Sequence, residues 1–278
     1  MITSSVQLKS KIKNLSGGNS EKAQELIRNY MMERFLERIS LSEFSDQFIL
    51  KGGMLVASMA GLDLRATMDI DTTVRALPLN LSDTHKIIDN IASISIADNI
   101  TFEVITGERI MDEFDYPGVR FHMMAHLDKL RQPIKIDIST DDVITPAAIK
   151  RKYRLMFEDR TIELLSYPIE TLFAEKLETI LARGLANSRM RDFYDLYVLR
   201  NYTDEKLDFN ILSRAVLATA VKRNTANMLN YRSEILDAIQ GSDTMHRQWE
   251  NYRMGSVYVG NISWYDVTES VKLLFEKI

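Results

Sequence analysis

Cysteine is absent from all 278 residues. That one absence excludes a disulfide framework, a thiolate zinc site and a cysteine nucleophile. It fits a reducing, cytoplasmic setting. No apolar run reaches the ~20 residues a membrane-spanning helix needs. Met1 to Ser5 carry no apolar signal core either, so no membrane partner is expected. Neither sign of charge dominates: the net charge is −4, which excludes a uniformly basic coat for nucleic acid. Residues 1–146 hold 16 Lys/Arg against 21 Asp/Glu, and residues 147–278 hold 19 against 18, so a basic patch is expected in the second half. Histidine is scarce. His122 and His126 are four apart, but no His-Glu-x-x-His motif and no clear third ligand accompany them, so zinc is set aside. Internal repeats and low-complexity tracts are missing too. What remains is an ordinary globular composition, long enough for one large domain or two modest ones.

The stretch from Lys51 to Thr73 organises the rest. Lys51-Gly52-Gly53 is a turn in which the backbone, having no Cβ, can approach a ligand closely. Met54 to Ala60 reads as a two-turn helix closed by Gly61, and free N–H groups at its start suit a phosphate. Arg65-Ala66-Thr67 leads into a strand carrying Asp69 and Asp71. Residues two apart on a strand share a face, so both carboxylates project together, while Met68, Ile70 and the Thr72 methyl are expected in a core. Two neighbouring carboxylates repel unless a cation lies between them. Mg²⁺ suits such a pair, because it takes one or two carboxylates plus phosphate oxygens.

The remainder of the first half alternates helix and strand. Residues 1–19 are polar and read as an N-terminal arm. Ser20 caps an amphipathic helix whose Ala23, Leu26, Ile27, Tyr30, Met31 and Phe35 recur at helical spacing. Phe48-Ile49-Leu50 is a short buried strand. Pro78 to Ser82 is a break, with Ser82 capping a helix of Ile87, Ile88, Ile91 and Ala92. Strands are expected at 100–106, 118–126 and 134–139, the last two joined as a hairpin. In the last, Ile134, Ile136 and Ile138 point inward, and Lys135, Asp137 and Ser139 share the other face. Asp137 is placed to be a third carboxylate, as metal ligand or proton acceptor. Its spacing alone leaves an ordinary surface role equally open.

From about residue 150 the pattern is mainly helical, after a hairpin with arms Tyr153–Phe157 and Thr161–Leu165. Lys150, Arg151, Lys152 and Arg154 around Tyr153 could grip an RNA backbone and stack a base, or form a solvated loop. Ile169, Leu172, Phe173, Leu177, Ile180 and Leu181 define an apolar helical stripe. Lys176 stands in that stripe, where a cation is costly without an anion or a route to water. It reaches a nucleotide phosphate, packs its stem on the core with the ammonium in water, or pairs with a structural aspartate. Asp192 and Asp195, three apart, share a face of the next helix. Capping alone could account for Asp192. Helices follow at 209–221, 228–239 and 262–278, with Trp249, Tyr252, Tyr258, Trp264 and Tyr265 packed against them.

Four motifs in order carry a resemblance: Lys-Gly-Gly-Met-Leu, Arg-Ala-Thr-Met-Asp-Ile-Asp, Ile-Lys-Ile-Asp-Ile-Ser, and Glu-Lys-Leu-Glu with Arg-Met-Arg-Asp-Phe-Tyr-Asp-Leu. The first two resemble the signature of polymerase β-type nucleotidyltransferases. Together the four look like the AbiEii nucleotidyltransferase toxins of bacterial abortive infection and type IV toxin–antitoxin systems, with which the MenT toxins share a plan. The resemblance spans about 51–199. It implies an α/β (α+β) fold: a polymerase β-like core with a mixed sheet at 20–146, then a mainly helical domain at 147–278 completing a cleft. It implies that Asp69 and Asp71 bind Mg²⁺ (or Mn²⁺) and that Lys176 holds phosphate of an incoming NTP. Asp192, with Asp195, would complete the site, while Gly52, Gly53, Arg65 and Thr67 cradle the nucleotide. A departure is Gly53, where many polymerase β-type enzymes carry Ser. The implied acceptor is the tRNA 3′ end, and the implied partner is a co-encoded antitoxin in a phage-defence setting. Transfer to a protein hydroxyl, and a non-enzymatic nucleotide- or antitoxin-binding module, are the alternatives.

Overall fold

A computed structural model describes residues 1–61, 63–77, 79–111 and 117–278. The expected break at Pro78 therefore falls partly outside the described residues. The chain forms two compact units: 1–58, 66–142 and 149–166 in one, and 59–65, 143–148 and 167–278 in the other.

The first unit holds helices α1 (Ser5–Ser16), α2 (Ser20–Leu41), α3 (Gly52–Ala60) and α4 (Leu81–Ala92). Its strands are β1 (Phe48–Lys51), β2 (Ile70–Val74), β3 (Thr101–Met111), β4 (Pro117–Leu127), β5 (Leu130–Thr140), β6 (Ile149–Arg154) and β7 (Thr161–Ser166). They make one mixed sheet in the order β3-β4-β5-β2-β1-β7-β6, with parallel pairs at β2/β5 and β1/β7. The fold is thus the mixed α/β class that the motifs implied. The 1–19 segment is largely helix α1, which packs on α2 through buried Leu8 and Ile12. The hairpin β6–β7 joins the sheet of this first unit.

Strand alternation explains the core. Ile134, Ile136 and Ile138 on β5, with Val119, Phe121 and Met123 on β4, are fully buried on one face, as is Ile70 on β2. Burial of each such side chain contributes ~1.5–3 kcal/mol. Helix α2 covers β5 and β7, and α4 covers β3 and β4. Met68 does not join this core. It is 45% exposed, because β2 begins only at Ile70 and alternation does not extend back to it. Two caps also differ from expectation: Asn19 and Asn80, not Ser20 and Ser82, accept the first-turn N–H groups of α2 and α4. Asn accepts there as well as Ser does, and each stands one or two residues earlier.

Helix α2 buries charge as well as apolar surface. Arg34 pairs with Glu33, Glu37 and Glu158, and Arg160 pairs with Glu37 and Glu158. Arg38 makes a two-pronged pair with Asp98 at 3.0 Å and donates to the Ile100 carbonyl. These ties explain how charged residues between Tyr30 and Ile39 can lie inside: buried charges persist when paired and hydrogen-bonded.

The second unit is helical: α5 (Ile169–Arg183), α6 (Met190–Tyr202), α7 (Phe209–Lys222), α8 (Arg232–Gln240), α9 (Asp243–Met254) and α10 (Trp264–Phe275). Helix α5 packs on α6 and α7, and α10 on α6 and α8. The apolar stripe of α5 is buried, and the late aromatics pack among the helices, with Trp264 against Phe193 and Trp249, except Tyr265, which is exposed because the residue beside Trp264 faces outward on α10. Among the described residues no helix is long and apolar enough to cross a membrane.

Candidate active site

Sheet register assembles the acids of the first unit. On β5, Asp137 stands opposite Asp71 of β2 and Arg120 of β4, and Asp71 stands opposite Lys51 of β1. Directly opposed residues share a face. A row Arg120, Asp137, Asp71, Lys51 therefore crosses four adjacent strands, on the face away from the buried isoleucines. Asp69 lies just ahead of β2. One carboxylate oxygen from each of Asp69, Asp71 and Asp137 lies within 4.8 Å of the others.

The glycine pair seats one of these acids. Gly52 has φ +63°, and a Cβ there would stand 2.0 Å from Asp71 Oδ2. Only glycine permits both the left-handed backbone and that approach. The Gly53 N–H, in the first turn of α3, donates to Asp71 Oδ2 at 3.3 Å. The donor expected to face a phosphate thus already serves a carboxylate, which suits a helix N-terminus equally well. The Thr67 hydroxyl donates to the Asp69 carbonyl at 3.3 Å and so shapes the approach to β2.

Charge is unevenly balanced here. Burial, then the neighbouring Asp69 and Asp137 charges, push the Asp71 carboxyl up to about 7 against the pull of Lys51 and the Gly53 N–H. Lys135 Nζ lies 3.7 Å from Asp69 Oδ2. Lys51 pairs with Asp142, which also accepts from Ser139 Oγ at 2.8 Å. Arg120 Nε and Nη2 donate to the two oxygens of Asp137 at 2.7 and 2.6 Å. Three crowded oxygen donors, one of them resisting ionisation, form a set that fits a hard divalent cation such as Mg²⁺ or Mn²⁺.

The second unit gathers a different cluster. Lys176 Nζ donates to Asp192 Oδ1 at 2.9 Å and Asp195 Oδ2 at 2.6 Å. Arg65 Nε donates to Asp195 Oδ1 at 2.6 Å, and Arg189 pairs with Asp192 at 3.0 Å. Burial alone would raise the Asp195 carboxyl, but Arg65 and Lys176 outweigh it and hold it down at about 2. Burial would also discharge Lys176, yet the two aspartates keep its ammonium protonated. Tyr194, one residue before Asp195, donates to the Leu64 carbonyl and so anchors the backbone beside Arg65.

The residues singled out from sequence thus fall into two sets. Asp69, Asp71 and Asp137 come together with Gly52, Gly53 and Thr67. Lys176, Asp192 and Asp195 come together with Arg65, which is an ion-pair partner of Asp195. Sequence reasoning missed Arg120, Lys51 and Asp142 as neighbours of the acids. Lys135 was visible as sharing the face of Asp137, but its pairing with Asp69 was not. Tyr153 is 3% exposed, so the basic stretch around it offers no stacking ring. Lys150 and Arg154 pair with Glu163 and Asp159.

A family model, the nucleotidyl transferase AbiEii toxin of type IV toxin–antitoxin systems, matches residues 34–266. The chain belongs to the AbiEii family. Among solved structures, this AbiEii chain is similar to a Helicobacter pylori protein described as a nucleotidyltransferase, at 14% identity and a TM-score of 0.53, over 91% of this chain and 93% of that one. It is also similar to JHP933 of Helicobacter pylori, at 15% identity and a TM-score of 0.46, over 84% and 96% of the two chains. The first likeness is one of fold, a nucleotidyltransferase-like one. No curated protein sequence matches the chain. Family and fold make it a nucleotidyltransferase of the AbiEii type, and membership in a type IV system implies an antitoxin partner.

Proposed function

We propose that this AbiEii chain transfers a nucleoside monophosphate from an NTP to RNA, at the 3′ end of tRNA, using Mg²⁺ or Mn²⁺. The carboxylate triad of Asp69, Asp71 and Asp137, set on a family-matched fold, supports this reading most strongly. Asp69 and Asp71 would hold the ion, which when bound supplies charge neutralisation at the phosphoryl group and lowers the pKa of a coordinated hydroxyl. The chain's own residues do the positioning. Gly52 and Gly53 fix Asp71, and Thr67 fixes the backbone of Asp69. Asp137 is the third acid, placed to join the ion's ligands or to take a proton from the acceptor hydroxyl. Lys51, Lys135 and Arg120 supply positive charge beside the acids, where a triphosphate would be drawn.

Lys176, Asp192 and Asp195 belong to the same reaction in this reading. The resemblance gives Lys176 a phosphate contact. Its two carboxylate partners favour a positioning role, in which it orders the start of α6 together with Arg65. The modified tRNA could not be charged, growth would stop in the cytoplasm, and a co-encoded antitoxin would counter the effect as part of phage defence.

The test supplies each labelled NTP in turn with Mn²⁺ or Mg²⁺, total tRNA and cell lysate, and sequences tRNA 3′ ends after expression. Label on tRNA, lost in Asp69→Asn and Asp71→Asn, is the expected result. Label on protein alone would overturn the tRNA assignment. Undiminished toxicity of Asp69→Ala in cells would overturn the enzymatic one.

A further inference from the structure

The row across the sheet continues one strand further. Arg120 stands opposite Glu108 of β3 as well as opposite Asp137 of β5. Its guanidinium therefore lies between two acids on one face. It is engaged with one of them, through two short parallel hydrogen bonds that take both Asp137 oxygens. Glu108 is meanwhile within 3.2 Å of His122. Arg120 is 30% exposed and Asp137 17% exposed, so the pair is neither locked in the core nor freely solvated. Such a fork grips a carboxylate with fixed geometry, which a lysine cannot reproduce.

We propose that Arg120 tunes the cation affinity of the acidic triad by competing for Asp137. While the guanidinium holds both oxygens of Asp137, the ion is left to Asp69, whose Lys135 contact is long at 3.7 Å, and to Asp71. An incoming polyphosphate draws Arg120 toward its own oxygens, and only then does Asp137 join the set. Arg120 is thus a positioning residue that couples the third acid to the arrival of substrate. The proposal rests on the triad being the metal seat and adds the order in which its members engage.

The physical reason is competition for lone pairs. A carboxylate whose two oxygens each accept a charge-assisted hydrogen bond must break at least one to bind a cation well. Losing a group that orients a ligating side chain typically costs ~10–100-fold in metal affinity; a group that instead occupies both ligand oxygens competes with the ion, so its loss acts in the opposite direction on the same scale. Replacing Arg120 by Lys keeps the charge and removes the fork. Any change in affinity then reports the geometry of the pair rather than the local field.

The experiment titrates Mn²⁺ into the protein without nucleotide, by calorimetry and by the loss of the free-ion electron-paramagnetic signal. Wild type, Arg120→Lys, Asp137→Asn, the double variant, Asp69→Asn and Asp71→Asn are compared, with thermal melting to verify folding. Arg120→Lys should bind Mn²⁺ more tightly, on the order of tenfold. In the Asp137→Asn background the same substitution should change affinity less than about twofold, because the acid competed for is gone. Equal affinity of wild type and Arg120→Lys would overturn the proposal. So would a gain that persists without Asp137. If Asp69→Asn and Asp71→Asn bind Mn²⁺ like wild type, or if no variant binds it, the triad is not the metal seat and the functional reading fails first. Should Arg120→Lys fail to fold, Arg120→Gln in the same two backgrounds replaces it, and a gain that survives loss of Asp137 again counts against the proposal.

Discussion

Replacing Gly52 by alanine tests the geometry that holds Asp71. The residue has φ +63°, and the new Cβ would fall 2.0 Å from Asp71 Oδ2, 2.5 Å from its Cγ and 2.6 Å from its Cβ. Two costs follow. Left-handed backbone costs a non-glycine residue about 1–2 kcal/mol. Overlap with a packed side chain adds about 1–3 kcal/mol as Asp71 rotates or β1 shifts away from β2. Gly17 separates the two. It ends α1 at φ +57°, and a Cβ there meets nothing within 4 Å. Gly17→Ala should therefore incur the backbone cost alone. Urea unfolding should find Gly52→Ala less stable than Gly17→Ala by about 1–3 kcal/mol, the overlap alone. Mn²⁺ titration should find only Gly52→Ala impaired, by tenfold or more if Asp71 leaves the triad. In an Asp71→Ala background two of the three overlapping atoms are gone, and the stability gap should narrow. If the two alanine variants unfold together and both bind Mn²⁺ like wild type, the glycine is not what brings Asp71 to its place.

Burial pushes the Glu33 carboxyl up to about 7 from 4.5, against the pull of Arg34 and the Met156 N–H. A raised carboxyl stabilises the fold below the unfolded pKa and loses that contribution as pH rises through the folded one. Unfolding free energy should therefore fall between pH 4.5 and 7, by roughly 3 kcal/mol at most, and Glu33→Gln should flatten that slope in urea titrations. Lys176→Met leaves Asp192 and Asp195 short of a buried cation. It should cost about 3–5 kcal/mol of stability, so melting temperature and transfer activity should fall together. Asp71→Asn relieves repulsion among three crowded acids. Metal-free protein should gain about 0.5–2 kcal/mol in urea unfolding, a gain that added Mn²⁺ reverses in favour of wild type.

Much of this was readable from local pattern. Strict alternation of isoleucines on β5 placed Asp137 on the face opposite the core, and Asp69 and Asp71 do come together as their spacing suggested, although Asp69 lies ahead of β2, where strand alternation no longer applies. The parts that escaped depend on pairing at long range. The turn at 128–133 announced the antiparallel hairpin of β4 and β5, but nothing near Asp137 in sequence says that its strand lies parallel to β2, or fixes the register that supplies Arg120 and Asp71 as neighbours. Arg65 sits four residues before Asp69 yet spends its charge on Asp195, 130 residues later. Helix α2 read as one apolar face. Its charges lie inside because Arg160 and Asp98, both remote in sequence, meet them. Met68 was misplaced for a simpler reason: alternation was extended one residue pair beyond the start of β2.

The two ways the first unit treats charge bear on its function. Along α2, Arg34 meets three acids and Arg38 takes both oxygens of Asp98, and the cost of burial is offset by short hydrogen bonds. On the half-buried sheet face the match is incomplete. Asp69, Asp71, Asp137 and Asp142 face Lys51, Lys135 and Arg120, leaving one more acid than base among these seven. The deficit falls on Asp71, the acid that the glycine turn holds in place and that burial and its neighbours push toward the neutral form. A residue chosen for stability there would be neutral or paired. A carboxylate fixed by two glycines, with no ion-pair partner among the described residues, suits the cation of the proposed reaction, and the surrounding bases keep the repulsion small enough for the sheet to tolerate it.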